Sequence, residues 1–487
     1  MTNLVQMRLF LTICIFSSFF CALCAQQVIQ SEELNIRSHV AFHLLGKIDD
    51  VILLYQDKGY EKDIVAFDQN MVKLSTRTPY FEKKRVNVLD LSSQADTSFH
   101  IIYSYKEKST EYIRINSYNK SVELIDSTAI AINEAFQYFA PFQTEFSEDG
   151  SKVSIYKVYN NQEFRLIIYD IHAKKTLVDD TYNIAAAFLE EDLNQVMLSN
   201  SGEFWLVLQH FNQRGKKEKH HMQILRVKPE NPDEIDKFLV PLQDIVTSDV
   251  FLSYNDEQKR FGLFGLYSEK DYYKSDGFFV LNAPLSNVGD TEIQFYSFTD
   301  NTINDLYGKD AKDKKTIDNF VIADVVWRAD GGALLIMEMS YDFYRRPNYI
   351  APSYQTSDPF RSRAWTNHLN EDMLLYSISP QSKPEWTKVI YKRQKSQDDQ
   401  GIYSSFFTFK TPSRLRLIFN DEIKTSNTVS EYIFDSTGRV KRNSLLNTEY
   451  QNLKLRIKDA LQISSTELIV PSQRSGFLSL VKIDYSI

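Results

Sequence analysis

The chain has 487 residues, 43% of them hydrophobic and 13% aromatic, with no long tract of low complexity, a composition that excludes disorder over most of its length. Its formal charge of −8 and the lack of a Lys/Arg stripe exclude nucleic acid as a partner, because phosphate binding needs a net basic face.

Arg8 precedes an apolar run from Leu9 to Leu23, and Ala22, Cys24 and Ala25 stand just before the polar pair Gln26-Gln27. This is the pattern of a secretory signal peptide over residues 1–25. The run is shorter than the roughly 20 residues a membrane span needs, so cleavage is expected and no transmembrane domain remains in the mature chain. Lipid attachment favours a small residue before the modified cysteine, whereas Cys21 follows Phe20 and Cys24 follows Leu23. Cys14, Cys21 and Cys24 are the only cysteines, so the mature chain is expected to have neither disulfides nor thiol chemistry.

From residue 38 onward the sequence reads as a ladder of strand quartets. Blade 1 is predicted at His39–Gly46, Asp50–Gln56, Asp63–Asp68 and Met71–Ser75, and blade 2 at Val86–Leu91, Ser98–Ser104, Glu111–Asn116 and Ser121–Ile125. Continuous apolar runs such as Val51-Ile52-Leu53-Leu54 suit strands covered on both faces. Blade 3 is the clearest unit, at Phe142–Gly150, Lys152–Val158, Phe164–Asp170 and Lys175–Asn183. Blade 4 follows at Gln195–Ser199, Glu203–His210, Met222–Lys228 and Glu234–Leu242, and blade 5 at Asp249–Tyr254, Arg260–Tyr267, Asp276–Leu281 and Glu292–Phe298. Blade 6 opens with Ile322–Trp327 and Ala333–Ser340, is interrupted, and resumes at Met373–Ser379 and Trp386–Lys392. Blade 7 is predicted at Tyr403–Lys410, Arg414–Phe419, Glu431–Asp435 and Arg439–Ser444. The last unit shows three strands, Lys458–Ile463, Thr466–Pro471 and Phe477–Asp484, and a fourth is available around Val28–Leu34. Four-stranded units that cannot bury their own faces imply a closed ring, so the fold class is an all-β propeller over residues 26–487. Eight blades closed by pairing the two chain ends is the expected form; seven is the alternative if the N-terminal residues stay out of the ring.

Three blades share a turn between their first and second strands: Phe146-Ser147-Glu148-Asp149-Gly150, Leu198-Ser199-Asn200-Ser201-Gly202 and Trp327-Arg328-Ala329-Asp330-Gly331. The glycine supplies a positive backbone angle, and the large apolar residue is expected to plug between blades. These turns resemble the TolB-like propeller repeat, a relative of WD-type repeats, which implies a binding role and no reaction. A second series, Asp310-Ala311, Asp330-Gly331-Gly332, Trp386 through Gln394, Gly401-Ile402-Tyr403-Ser404-Ser405 and Phe419-Asn420-Asp421, resembles a family of secreted bacterial proteins of unassigned function. That resemblance implies a secreted or cell-envelope location and carries no catalytic residue across.

Parts for catalysis are missing. No G-x-S-x-G elbow of a peptidase hydrolase domain is present. The four tryptophans are too few for a quinone-type propeller, and Ser147-Glu148-Asp149-Gly150 fits a hairpin rather than a sialidase box. No cofactor or metal set is read from the chain: His220-His221 is expected at a solvated, charged hairpin tip, and Asp300–Asp313 lacks calcium-loop spacing and reads as a connector or short charged helix. Glu338 stands inside the apolar run Ala333–Met339 and needs a partner, expected to be an Arg from an adjacent loop, unless it lines the channel.

The segment at 341–370 that interrupts blade 6 is the candidate binding element. It offers Tyr341, Phe343, Tyr344, Arg345, Arg346, Tyr349, Tyr354, Phe360, Arg361, Arg363 and Trp365, the residue types that dominate binding hot spots. The alternative is that this arm folds over the ring and packs on its own blades. The chain therefore reads as a non-catalytic secreted or periplasmic propeller that binds a protein or envelope component. The second reading is a carbohydrate-binding protein or glycan-active enzyme, which would need two carboxylates facing each other across one pocket at roughly 5–10 Å.

Overall fold

The computed structural model describes residues 26–92, 97–108, 110–134, 142–159, 162–184, 189–212, 216–242, 244–270, 272–312, 314–345, 365–411, 413–421, 428–447 and 453–486, so the stretch 1–25, expected from the sequence to be a signal peptide, lies outside the described residues. Eight antiparallel sheets follow one another along the chain: blade 1 at 41–77, blade 2 at 87–134, blade 3 at 143–183, blade 4 at 193–241, blade 5 at 246–297, blade 6 at 320–390, blade 7 at 407–447, and blade 8 at 461–484 with a strand from the N-terminus. Each of blades 1–7 is an up-and-down meander, and its fourth strand is the most solvated, as in Lys73–Arg77 of blade 1. The first strands of neighbouring blades lie side by side around the axis.

Closure of the ring is visible in the packing. Eight apolar clusters each join two consecutive blades, and the eighth, with Leu44, Ile52 and Phe67 against Ile469, Leu478 and Leu480, joins blade 8 back to blade 1. Inner strands such as Lys62–Phe67 are buried at every position, which explains their continuous apolar runs. The turn plugs fall where the sequence places them: Phe146 packs between blades 2 and 3, Leu198 between 3 and 4, and Trp327 between 5 and 6. Gly150, Gly202 and Gly331 have φ of 67°, 91° and 87°, the left-handed region that a side chain would strain.

The outermost strand of blade 8 is Gln27–Gln30, which runs antiparallel to Val481–Asp484, and Leu34–Asn35 adds a second short pairing to Phe477–Leu478. Eight blades closed by the two chain ends is thus the observed form. A buried ion triad locks the same seam: Glu467 receives Lys47 of blade 1 at 2.8 Å and Lys482 at 3.0 Å. Burial opposes ionisation of Glu467, but the two lysines outweigh it and hold its carboxyl below the usual range.

Bulges in the first strands aim short polar side chains across blade boundaries. After the bulges at Val88/Asp90, Leu193/Gln195 and Thr247/Asp249, Asp90 accepts from the Thr144 hydroxyl (2.8 Å), Gln195 from the Leu252 N–H (2.5 Å) and Asp249 from the Ile322 N–H (2.6 Å). These contacts staple consecutive first strands around the channel.

Candidate partner-binding face

In a ring of meanders the turns between strands one and two, and between three and four, lie on one face. The turns between strands two and three and the blade-to-blade connections lie on the other. On the first face the turns between strands one and two of blades 3 to 6 are short and bond to one another. There the Asp149 N–H donates to the Asn200 side chain (3.0 Å), the Asn200 N–H to Asp256 (3.0 Å), and Gln258 to the carbonyls of Arg328 (3.2 Å) and Ala329 (2.6 Å). The second face is elaborated. It carries a helix at Asp300–Tyr307, the short charged helix expected in the acidic stretch, and a two-stranded clip pairing Lys274–Ser275 with Ile317–Asp318.

The arm of blade 6 rises from this second face and is a continuation of the sheet, which corrects the expected interruption. The second strand runs unbroken over Ala333–Arg345 and the third over Trp365–Ile378, with Ser340–Arg345 paired to Asn370–Trp365. Gln394–Gln397 adds a third strand against Asn367–Asn370. Tyr341, Phe343, Tyr344, Arg345 and Trp365 are brought together on this ribbon; Tyr341 is half-buried and Phe343 is 50% exposed. Arg346, Tyr349, Tyr354, Phe360, Arg361 and Arg363 lie outside the described residues.

Rigidity at the root of the ribbon comes from a dry polar network. Glu338 is 2% exposed, and its partner is Lys392, at 2.5 Å, rather than an arginine of a loop. The second carboxylate oxygen accepts from Asn370 (3.0 Å) and from the Ser405 hydroxyl (2.7 Å). Lys392 also donates to the Asn370 carbonyl (3.2 Å) and to Gln394 (2.7 Å). Gln394 in turn donates to the carbonyls of Ser405 (3.2 Å) and Asn420 (2.7 Å). Burial lowers the pKa of Lys392 and the facing Glu338 opposes that shift. Asn420 donates to the carbonyls of Tyr403 (2.8 Å) and Leu455 (2.9 Å). Gln394, Tyr403, Ser405 and Asn420, all within the second sequence series, therefore form a clasp joining blades 6, 7 and 8. Their role is structural.

Surface aromatics mark the same face. Among the described residues the exposed aromatic side chains are Tyr60, Tyr80, Phe211, Tyr273, Phe295, Phe343 and Tyr391. Phe295 sits on an outer strand; Phe343 lies on the arm ribbon, and the other five belong to second-to-third-strand turns or blade connections, so six of the seven lie on the arm's face. Sequence reasoning missed Tyr60, Tyr80, Phe211, Tyr273 and Tyr391, because they are scattered over separate loops of blades 1, 4, 5 and 6, with topology alone to unite them. Some are braced by cations, as Tyr60 is by Arg85 at 5.6 Å and Phe211 by Lys216 at 5.7 Å. The histidine pair differs from expectation. His220 is fully buried with its Nδ1 against the Ile245 carbonyl (2.9 Å), while the neighbouring His221 stacks on His210 at 4.7 Å. Alternation along the extended chain turns one ring inward and the other outward.

In the channel, burial and the nearby Asp90 push Glu145 up to about 7, and burial lowers His43. Asp90 itself is tied to the Leu91 N–H (2.8 Å) and Thr144. Among the described residues no group of three or more His, Cys, Asp or Glu side chains could hold a metal ion. No helix among them is long and apolar enough to cross a membrane.

No family model matches the chain, TolB-like and WD-type repeats included, and no curated protein matches it. Solved structures do. They include a prolyl endopeptidase (11% identity over 81% of this chain and 47% of that one, TM-score 0.34) and the dipeptidyl peptidase 4 of Porphyromonas gingivalis (10%, 89% and 56%, TM-score 0.47). A third is the β-propeller domain of the trilobed protease from Pyrococcus furiosus (9%, 83% and 98%, TM-score 0.38). The chain spans about half the length of the first two, 47% and 56%. The protein is a β-propeller on the strength of its own sheets and its eight inter-blade clusters.

Proposed function

We propose that this chain is a non-catalytic secreted or periplasmic propeller that binds a protein or cell-envelope partner through the face bearing the blade 6 arm. The observation that carries this reading is the segregation of exposed aromatics, six of the seven among the described residues lying on that one face. Aromatic side chains give large contact area at low ordering cost, and the arm projects from a root fixed by the Glu338–Lys392 pair. A secreted location is supported by the pattern of residues 1–25.

The test compares capture from envelope extracts by the mature ring and by a variant in which residues 345–365 are replaced by Asn-Gly, a two-residue turn that keeps the paired root. Removing all of 341–370 would delete Asn370 from the clasp and confuse folding with binding. A partner retained by the intact ring and lost by the variant is the expected result. Equal capture by both, or by neither, removes the arm from the reading.

The glycan reading is favoured by one observation, a channel carboxyl, Glu145, that titrates near neutrality beside Asp90. A glycan array with a hydrolysis screen tests it. Neither binding nor turnover on broad panels sets it aside.

A further inference from the structure

On the face opposite the arm, the wedge between blades 7 and 8 opens into a cleft of about 640 Å³, a volume typical of small-ligand sites. Deeper in this wedge Ile418, Val429 and Leu445 pack against blade 8. Two residues along the same strands the side chains on that sheet face become Arg416, Glu431 and Asn443, so an apolar interface turns into a polar floor. Glu431 is 1% exposed and fully gripped. Arg416 holds both its oxygens at 2.8 and 2.9 Å, Asn443 donates at 3.2 Å, and the Tyr485 hydroxyl at 3.1 Å. The Nε of Arg416 is buried with no acceptor among the described residues.

The rim is cationic. Arg414 and Lys441 line the cleft, are solvent-exposed, and face no carboxylate partner among the described residues; Arg439 pairs with Asp435 at 3.0 Å while 82% exposed. The lining counts four cations, Arg414, Arg416, Arg439 and Lys441, against two carboxylates, Glu431 and Asp435, a net +2 on a chain whose formal charge is −8. Tyr485, the one aromatic of the lining, already engages the Arg416 guanidinium at 4.2 Å and Phe409 at 5.1 Å, so the cleft lacks the bare ring on which a sugar stacks. Guanidinium and ammonium groups around an ordered polar floor suit oxyanions instead. We propose that this cleft binds a small polyanion bearing two or more carboxylate or phosphate groups, held by Arg414 and Lys441 at the rim.

Calorimetric titration of the mature ring with citrate and with pyrophosphate tests the assignment. Binding of citrate alone assigns carboxylate recognition, and of pyrophosphate alone phosphate recognition. Arg414→Ala with Lys441→Ala should weaken that binding by about tenfold or more, the size of one lost charge-assisted hydrogen bond. Arg393→Ala with Lys174→Ala, two exposed cations on other blades, should leave it unchanged. No binding of either anion at millimolar concentration overturns the proposal. So does binding that the rim pair leaves intact, or that both variant pairs weaken equally.

Discussion

Single ionisable residues report how well the ring tolerates its own interior. Glu145 sits half-buried in the channel, and burial with the neighbouring Asp90 raises its pKa from 4.5 to about 7. A carboxyl raised on folding binds its proton more tightly in the native state, so stability falls as pH climbs from about 4.5 through about 7 and is level above that. Glu145→Gln removes the charge that costs stability and should raise the unfolding free energy by about 1–2 kcal/mol at pH 8, after allowance for solvent screening. The gain should shrink to about a quarter of that by pH 5 and vanish below about pH 4. Urea unfolding at pH 8 and pH 5 checks this, and an equal gain at both would refute the coupling. Glu338 is the contrasting case, legible as an anomaly but not as a pair. The apolar neighbours Ala333–Met339 announce a buried carboxylate, whereas Lys392 lies in the short connection after Pro384–Ile390 and nothing local in the sequence points to it. The cleft of blades 7 and 8 escaped notice for a related reason: Arg414-Leu415-Arg416-Leu417 reads as an ordinary alternating strand until the facing Glu431 and Tyr485 are in place.

At the scale of elements, the strand ladder was readable because inner strands buried on both faces must be continuously apolar, and in blade 3 strands two to four match within a residue while the first ends at Phe146, where the Ser147–Gly150 turn begins. The arm was not. Trp365-Thr366-Asn367-His368-Leu369-Asn370 looks like loop because its pairing partners, Ser340–Arg345 and Gln394–Gln397, satisfy its backbone where no apolar core covers it. The N-terminal strand was read correctly from the missing fourth member of blade 8. It is held by the ladder to Val481–Asp484, by the Ser31 N–H on the Leu480 carbonyl (2.9 Å), by the Leu480 N–H on the Ser31 hydroxyl (2.9 Å), and by buried Leu34 and Ile36. Deleting residues 26–36 should remove about 2 kcal/mol for each of those two aliphatic side chains, besides the strand pairing. It should also expose the Phe477–Asp484 edge as a template for aggregation. Thermal melts with light scattering measure both effects. A deletion variant that melts like the chain of residues 26–487 would show the strand to be dispensable.

The whole ring shows why that small strand matters. Blades 1–7 are contiguous in sequence, and only blade 8 draws three strands from one chain end and one from the other, so closure converts a row of seven sheets into a circle with no terminal wedge. The position of the seam is set by connectivity, since each of the eight interfaces has its own apolar cluster. Joining Ile487 to Gln26 through a flexible linker and opening the chain between Lys174 and Lys175, in the exposed turn before the fourth strand of blade 3, recreates the same arrangement. That strand, Lys175–Asn183, becomes the new N-terminal clasp on Glu163–Asp170, with the other three strands of blade 3 at the C-terminus. Opening instead between Lys83 and Lys84, in the exposed connection from blade 1 to blade 2, leaves every blade intact but no strand shared between the chain ends. The first permutant should unfold at nearly the wild-type rate. The second should unfold at least about tenfold faster, since no strand pairing, only the apolar cluster and side-chain bonds such as Arg77 to the Ser121 carbonyl (2.7 Å) and Lys120 to Asp49 (2.9 Å), then holds blades 1 and 2 together. Stopped-flow unfolding of both in guanidinium decides the matter: equal rates would mean that the inter-blade clusters, with their buried Phe99, Tyr103 and Leu53, close the ring unaided and that the strand exchange at blade 8 adds no kinetic barrier.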